Sequence, residues 1–559
     1  MSVSRRRSWR AALTSTLAVG AVMLPGLVSP DVPEAAAAES APTPVTAGSM
    51  PTPQTNGTIF TVEIVGDTAY AGGMFTTARP AGVAPGGAGE VARHNLLAFD
   101  LDTGDLLPWA PEVSVSQTLQ SYPGPYCREV SGPAWACDTV FQLESSPDGS
   151  RLYAVGDFDQ VNEQWRSRLA RFDTATGELD PDFDPRATGR VRGLSVTTET
   201  VYFGGAFDAV DGTTRQRLAA VSTTDGGLTS WNPTADNEVF TIQAAPQQQR
   251  VLLGGAFDTV NGQPHRAMMA VDATSGDNVS WQATVPAGSE VVSDIATDDT
   301  GTAYFSAYDH SNNEVRFEGR AAIDIATGTA DWWDGCYGDT QGVAVADGIL
   351  YSASHTHDCE AMGEVTDDQY YRLLAETTTA METATATSNH IEKGDPVPEI
   401  LPWLPNTDQG PADSAWQHGP WAIDATSDHV LVGGEFTTVN GDDQQSLALF
   451  GARDVSGAVN NGPQQAPLTS PELSRGGDGN VVITWNTTWS AQTNRIRYEV
   501  IRQGTAEPVH TVTTSARPWR TPQLSYTDSE HTAGTYRIRA VDTDGNAIGS
   551  PSTTIPAGD

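Results

Sequence analysis

The chain reads as all-β: a seven-bladed β-propeller followed by a β-sandwich. Three observations predict this. A dozen-residue phrase recurs as VYFGGAFDAVDG (Val201 to Gly212), VLLGGAFDTVNG (Val251 to Gly262) and VLVGGEFTTVNG (Val430 to Gly441). The residue ahead of its glycines falls at Tyr70, Tyr153, Tyr202, Leu252, Tyr304, Tyr351 and Leu431, in steps of 83, 49, 50, 52, 47 and 80. A period near 50 marks a repeat array, and the two long steps hold recognisable insertions. Within a unit, short alternating segments are separated by Asp-Gly or Asn-Gly turns and no helical period appears.

The N-terminal residues precede the array and read as a targeting segment. Arg5, Arg6, Arg7 and Arg10 form a basic region, Ala11 to Val28 an apolar one, and Ala35 to Ala38 supply small residues for cleavage. Residues 1–38 are expected to be a signal peptide and 39–46 a leader. "SRRRSW" resembles a twin-arginine signal faintly; ordinary secretion is the reading adopted. No second apolar run of about 18 residues follows, so no transmembrane anchor is expected. With 31 Lys+Arg against 70 Asp+Glu, the formal charge is −39 and Lys393 is the sole lysine. Such a surface repels phosphate backbones, which excludes nucleic acid as a partner.

The propeller is placed at 47–455. One unit shows four expected strands: GRVRGLSV, TVYFGGAF, RQRLAAVS and GLTSWNP. Four antiparallel strands per unit make a propeller blade. The final unit lacks its own fourth strand, and the segment around Met50 is expected to supply it, closing the ring and removing exposed edges. The diglycine sits where another backbone or a large ring comes close. Trp109, Trp231, Trp281, Trp332 and Trp403 are expected to fill the space between blades. The repeat is therefore frame, not a repeated active site.

The pattern of hydrophobic-Tyr-hydrophobic-Gly-Gly-x-Phe, an Asn-Gly turn, Arg-x-x-Leu-Ala-x-x-Asp and Trp-x-Pro resembles the delta-60 repeat propellers of secreted bacterial proteins. It is more distantly similar to kelch repeats. Ser306-Ala307 and Ala353-Ser354 depart from the diglycine. The resemblance implies a fold and an extracellular setting, and no defined activity.

Residues 456–468 read as a linker. Residues 469–556 carry alternating strands spaced by turns, with Trp485 as the candidate buried tryptophan. YTD…GTYRIRAVDTDGNAIGSPS resembles a fibronectin type III domain, with Tyr536 opening its sixth strand. Such modules look like spacers or surface-binding modules.

Four cysteines in a secreted chain suggest two disulfides. Three connectivities are open; Cys127 with Cys137 and Cys336 with Cys359 is the pairing expected. Both fall on one face of the propeller, together with the insertions at 79–93, 111–138, 334–339, 355–370 and 404–419, while 376–398 emerges opposite. Asp208 and Asp258 open onto the insertion face as well. Long loops on rigid scaffolds carry function, so this face is the expected site.

Candidate ligand-binding residues there are Tyr122, Tyr126, Trp135, Trp333, Tyr337, Trp416, His418 and Trp421, whose rings suit the apolar faces of sugars. Packing of the loops is the competing role. The catalytic candidates are Asp334, Asp339, Asp358 and Glu360, with Asp408 and Asp413 as further carboxylates. His355 and His357 are the metal candidates, since His-x-His on an extended segment points both rings one way; Asp309 and His310 are a weaker version. No cofactor is expected; calcium is the one ion the acidic stretches DPDFDP (Asp180 to Pro185) and DTDGN (Asp542 to Asn546) admit, although turns use the same residues. No nucleophile elbow, zinc-protease motif or phosphate loop is present.

The expected function is a secreted, monomeric binding protein for an extracellular polysaccharide, cell-wall polymer or surface protein. The alternatives are a glycoside hydrolase or polysaccharide lyase using the same face, and a purely structural display scaffold.

Overall fold

The computed structural model describes residues 41–285, 290–309, 317–388, 390–463 and 468–557. The expected signal peptide and His310 lie outside the described residues. Strands dominate, and two single-turn 3-10 helices, Pro246–Gln248 and Glu360–Met362, are the helical elements described.

Seven antiparallel sheets follow one another along residues 58–451. Sheet one holds Thr58–Val65, Thr68–Met74 and Leu96–Asp100. Sheets two, three and four repeat this plan, and sheet seven holds Pro420–Ala425, His429–Gly434 and Leu447–Gly451. Sheets five and six gain a full fourth strand, Ala330–Trp333 and Pro396–Ile400. The first strands of neighbouring sheets touch in order, and that of sheet seven touches that of sheet one.

The fourth strand expected in every repeat is therefore corrected. In sheets one to four it shrinks to single bridges, such as Val221 to Leu228, because Gly227 and the Trp-x-Pro stretch turn the chain away. The N-terminal segment does meet the last sheet: Met50 bridges Leu449, and its N–H reaches the Leu449 carbonyl at 2.7 Å.

The sheets are bound by apolar side chains and by rings that reach across. Tyr202 and Trp231 of sheet three stand edge to face at 5.1 Å. Both donate to sheet four, Tyr202 Oη to the Ala273 carbonyl at 2.8 Å and Trp231 Nε1 to Asp272 O at 3.0 Å. Trp109, Trp332 and Trp403 make the same kind of bond. These tryptophans are buried, each removing a large apolar area from water while its one N–H is satisfied.

In sheets two, three, four and seven a tight ribbon follows the second strand. Asp211 and Gly212 sit at φ 49° and 73°, as do Asn261 and Gly262 at 51° and 71°. Two left-handed residues in succession define the hairpin turn that Asn-Gly and Asp-Gly favour.

The C-terminal residues form two further sheets. One holds Glu472–Arg475, Val481–Asn486 and Gln523–Asp528; the other is built on Arg495–Arg502 and Gly534–Val541. Trp485, Tyr498 and Tyr536 share their core, and Tyr536 Oη donates to Asp528 at 2.8 Å. This unit rests against sheet six. Trp519 Nε1 and Arg520 reach Glu364 at 2.7 and 3.0 Å, and Arg517 donates to Ile400 O at 2.6 Å. It is held by specific bonds rather than left as a free spacer.

Candidate functional site at the channel mouth

A channel of about 660 Å³ runs between the first strands. Every one of those strands breaks register between its second and fourth residue. The skipped residues are Phe60, Phe141, Arg192, Phe240, Ser293, Gln341 and Trp421. All seven line the channel. A bulge re-aims one side chain out of the alternating pattern, so the repeat delivers one side chain per sheet to a common mouth.

In five of the sheets the backbone just ahead of the bulge also explains the second glycine of the repeated phrase, whereas Ala307 and Ser354 hold that place in sheets five and six. A Cβ on Gly205 would lie 2.2 Å from Arg190 O and 2.8 Å from Val191 Cα, on the bulged backbone itself. Gly73, Gly156, Gly255 and Gly434 meet the same obstacle. The first glycine instead faces the next sheet: a Cβ on Gly204 would meet Val239 Cγ1 at 2.6 Å.

Below the mouth, polar side chains of one first strand accept N–H groups from the next. Thr61 and Glu63 take Leu143 and Ser145; Gln142 and Glu144 take Leu194 and Val196; Asp294 takes Val343; Asp424 takes Ile64. These are edge strands, and the bonds satisfy donors that a sheet would otherwise pair. Burial pushes the four carboxyls up, Glu63 to about 8 with the charge of Asp424 adding to it, Asp294 and Asp424 to about 6, and Glu144 well above its usual value.

Insertion loops bring further groups to the mouth. Tyr126 packs on Phe60 and Phe141 at 5.8 and 5.2 Å, and Trp416 on Phe60, Tyr126 and Trp421 at 5.5, 5.3 and 5.4 Å. The Arg192 guanidinium stacks over Tyr126, Phe141 and Phe240 at 4.9, 4.9 and 4.2 Å. Across the mouth, His418 packs on Trp421 at 5.2 Å, and its Nδ1 lies 3.2 Å from His355 Nδ1. The rings of His355 and His418 are nearly parallel, 12° apart. Asp339 Oδ2 stands 3.7 Å from His418 Nε2. Burial, followed by the charges of His418, His357 and Arg372, pulls His355 down to about 3, which keeps it neutral.

Tyr126, Trp416, His418, Trp421, Asp339 and His355 thus gather in one place. The other candidates do not join them in the same way. Asp334 is fully buried in an ion-paired triad with Arg320 and Glu376, each at 2.7 Å. A carboxylate so engaged is a structural group. Cys336 lies against the same two acids, but it is bonded to Cys359, which leaves that cluster without a thiolate for a metal. Asp358 accepts the Glu360 N–H at the short helix, and Glu360 is exposed. Trp333 packs on Phe317 at 4.9 Å, and Tyr337 lies beside His390. Tyr122 meets Trp135 edge to face at 5.0 Å, and Trp135 sits in the loop closed by the Cys127–Cys137 disulfide. His357 packs against Tyr370, and Tyr370 in turn against His355, at 5.5 and 5.8 Å.

The remaining acidic candidates serve local structure. Asp408 accepts the Thr437 N–H, Asp208 pairs with Arg217, Asp258 with Arg266, Asp180 with Arg171, and Asp542 caps Asp544 and Asn546. Asp413 is exposed, and Asp309 ends its strand beside Asp339.

Sequence reasoning passed over Phe60, Phe141, Arg192, Phe240 and Gln341. Their signal is positional: each comes one residue after a buried residue near the start of its strand, as Ile59-Phe60, Val140-Phe141, Val191-Arg192, Val239-Phe240 and Thr340-Gln341. Strict alternation would point that residue elsewhere, and the bulge is what brings it to the axis.

The family model described as a domain of unknown function (DUF5122) beta-propeller matches residues 147–183. That stretch covers the second and third strands of sheet two and the turn after them. No curated protein matches the chain. An all-β chain with this match supports a β-propeller.

Proposed function

We propose that the protein is a secreted extracellular binding protein that takes a glycan or cell-wall polymer at the channel mouth. In this reading residues 47–455 are a seven-bladed propeller of the delta-60 type and 469–556 a fibronectin type III-like module. Support for the count comes from the seven sheets whose first strands touch in sequence. Support for secretion comes from the two disulfides and from the lack, among the described residues, of a helix long and apolar enough to cross a membrane.

The observation that carries the binding reading is the convergence of Tyr126, Trp416, Trp421 and His418 with the bulge side chains on one rim. Rings give apolar contact to sugar C–H faces, and Arg192, Gln341 and His418 offer donors to hydroxyls. A panel of polysaccharides tests it by retention in affinity electrophoresis. Trp416→Ala is expected to weaken retention about tenfold, and Tyr122→Ala, outside the rim, to leave it unchanged. Retention unaffected by Trp416→Ala with an unaltered melting temperature would sink the reading, and binding to a surface protein would then be tested.

A hydrolase or lyase is the second reading, favoured by Asp339 facing His418 at 3.7 Å. Release of reducing or unsaturated ends from the same panel, lost in Asp339→Asn, would establish it over simple binding.

A further inference from the structure

We propose that His355, His418 and Asp339 form a zinc-type divalent metal site at the channel mouth. One ligand atom from each lies within 4.8 Å of the other two. Two nitrogens bound at 2.0–2.1 Å to a tetrahedral zinc stand about 3.3 Å apart. The 3.2 Å between His355 Nδ1 and His418 Nδ1 already has that length. The Asp339 carboxylate stands 3.7 Å from His418 Nε2 and within 4.8 Å of a nitrogen of each ring, and the proposed site requires it to turn toward the Nδ1 pair as third ligand. Without metal, one ring donates its N–H to the other; with metal, both protons sit on the outer nitrogens.

The groups are held from separate elements, as a preformed site requires. His355 ends the strand Ile349–Thr356, and its N–H donates to Asp339 O at 3.0 Å. His418 precedes sheet seven, and its N–H donates to Glu435 at 2.8 Å. Trp421 and Tyr370 flank the rings. All three ligands are half-buried, so water or a ligand oxygen has access to the fourth position. Gln341 lies 3.5 Å from His418 Nε2, and with its amide turned its oxygen would accept the Nε2 proton of the metal-bound ring. Two imidazoles with one carboxylate suit zinc or cobalt and disfavour calcium, which takes six to eight oxygens.

The inference stands apart from the glycan reading, and its test uses the metal alone. The full chain, stripped with chelator, is titrated with Zn2+ by calorimetry and with Co2+ by visible absorption. One ion per chain and intense tetrahedral cobalt bands are expected. His418→Gln and His355→Gln should each weaken Zn2+ binding at least tenfold, and Asp339→Asn several-fold, while His510→Gln on the tail leaves it unchanged. Absence of saturable binding to the unmodified chain, cobalt bands of octahedral intensity, or undiminished binding in His418→Gln would overturn the proposal. The cobalt spectrum of the unmodified chain decides the matter even where a variant does not fold.

Discussion

Sheets three and four and sheets five and six occupy equivalent places in the array, yet they solve the same packing problem differently. In sheets three and four the second strand runs six residues and stops at a diglycine, where the bulged first strand leaves no room for a Cβ. In sheets five and six it runs eight, Thr302–Asp309 and Ile349–Thr356, and Ala307 and Ser354 stand where the second glycine was. The extra length carries Tyr308, Asp309 and His355 up to the mouth. The third strand differs too: Arg320 pairs with Ser306 where Leu218 pairs with Gly204. An arginine at an apolar position is tolerated because Asp334 and Glu376 meet it at 2.7 Å. Loss of the repeat phrase is thus replacement of a packing device by a longer strand and a buried ionic one.

The steepest loss of stability is expected at Arg320. Arg320→Ala leaves two buried carboxylates facing each other, and removing one partner of a buried pair costs about 3–5 kcal/mol. The measurement is the denaturant midpoint. Leu218→Ala, at the matching position of sheet three, is expected to cost about 2–5 kcal/mol through cavity formation alone. Restoration of most stability by the triple apolar replacement Arg320→Met, Asp334→Leu, Glu376→Leu would mark the triad as a device of specificity. Failure of Arg320→Ala to lower the midpoint would refute the burial argument.

A smaller effect is expected from the glycine itself. Gly205→Ala must displace the bulged backbone, and overpacking of this kind costs about 1–3 kcal/mol. Ala307→Gly in sheet five is expected to cost about 1 kcal/mol or less, through chain entropy. Equal losses at the two positions would show that the bulge does not set the glycine requirement.

The subtlest difference is in pH dependence. Burial raises Glu63 to about 8 and Asp294 and Asp424 to about 6, whereas the unfolded chain titrates near the ordinary carboxyl values. The folded protein therefore holds more protons between about pH 4.5 and 8, and the stability these groups contribute is full below that window and lost as pH rises through it. Glu63→Gln keeps the acceptor for the Ser145 N–H and removes one large upward shift, so it should flatten the fall in melting temperature from pH 5 to 8. An unchanged slope would place the titration elsewhere.

The strand order and the turns were legible because they depend on local chemistry. Asn261-Gly262 and Asp211-Gly212 need left-handed backbone whatever surrounds them, and Trp231 must bury its ring. The local disulfides were legible as well, from neighbouring cysteines. The bulges were not, since a register shift depends on what the facing strand permits. Arg320 was equally hidden: its partners come from residues 14 and 56 positions away, and only folding brings them to it. Asp334, chosen from its loop as a catalytic candidate, turned out to be one of those partners. His418 and His355 were each visible as candidates, and their pairing across 63 residues was not.

The join at Met50 has a consequence for how the molecule is made. Thr46 and Met50 bond to Gly451 and Leu449, some 400 positions downstream. The stretch synthesised early therefore finds these partners only once residue 451 has been made. Until then its bonding groups and those of Leu447–Gly451 are an open seam, available to a neighbouring chain. A cut after Met50, which removes Thr46 and Met50 with their bonds, would expose that seam in the finished molecule. Residues 46–50 therefore act as a clasp, and processing that cuts beyond them would leave an edge open to a second copy.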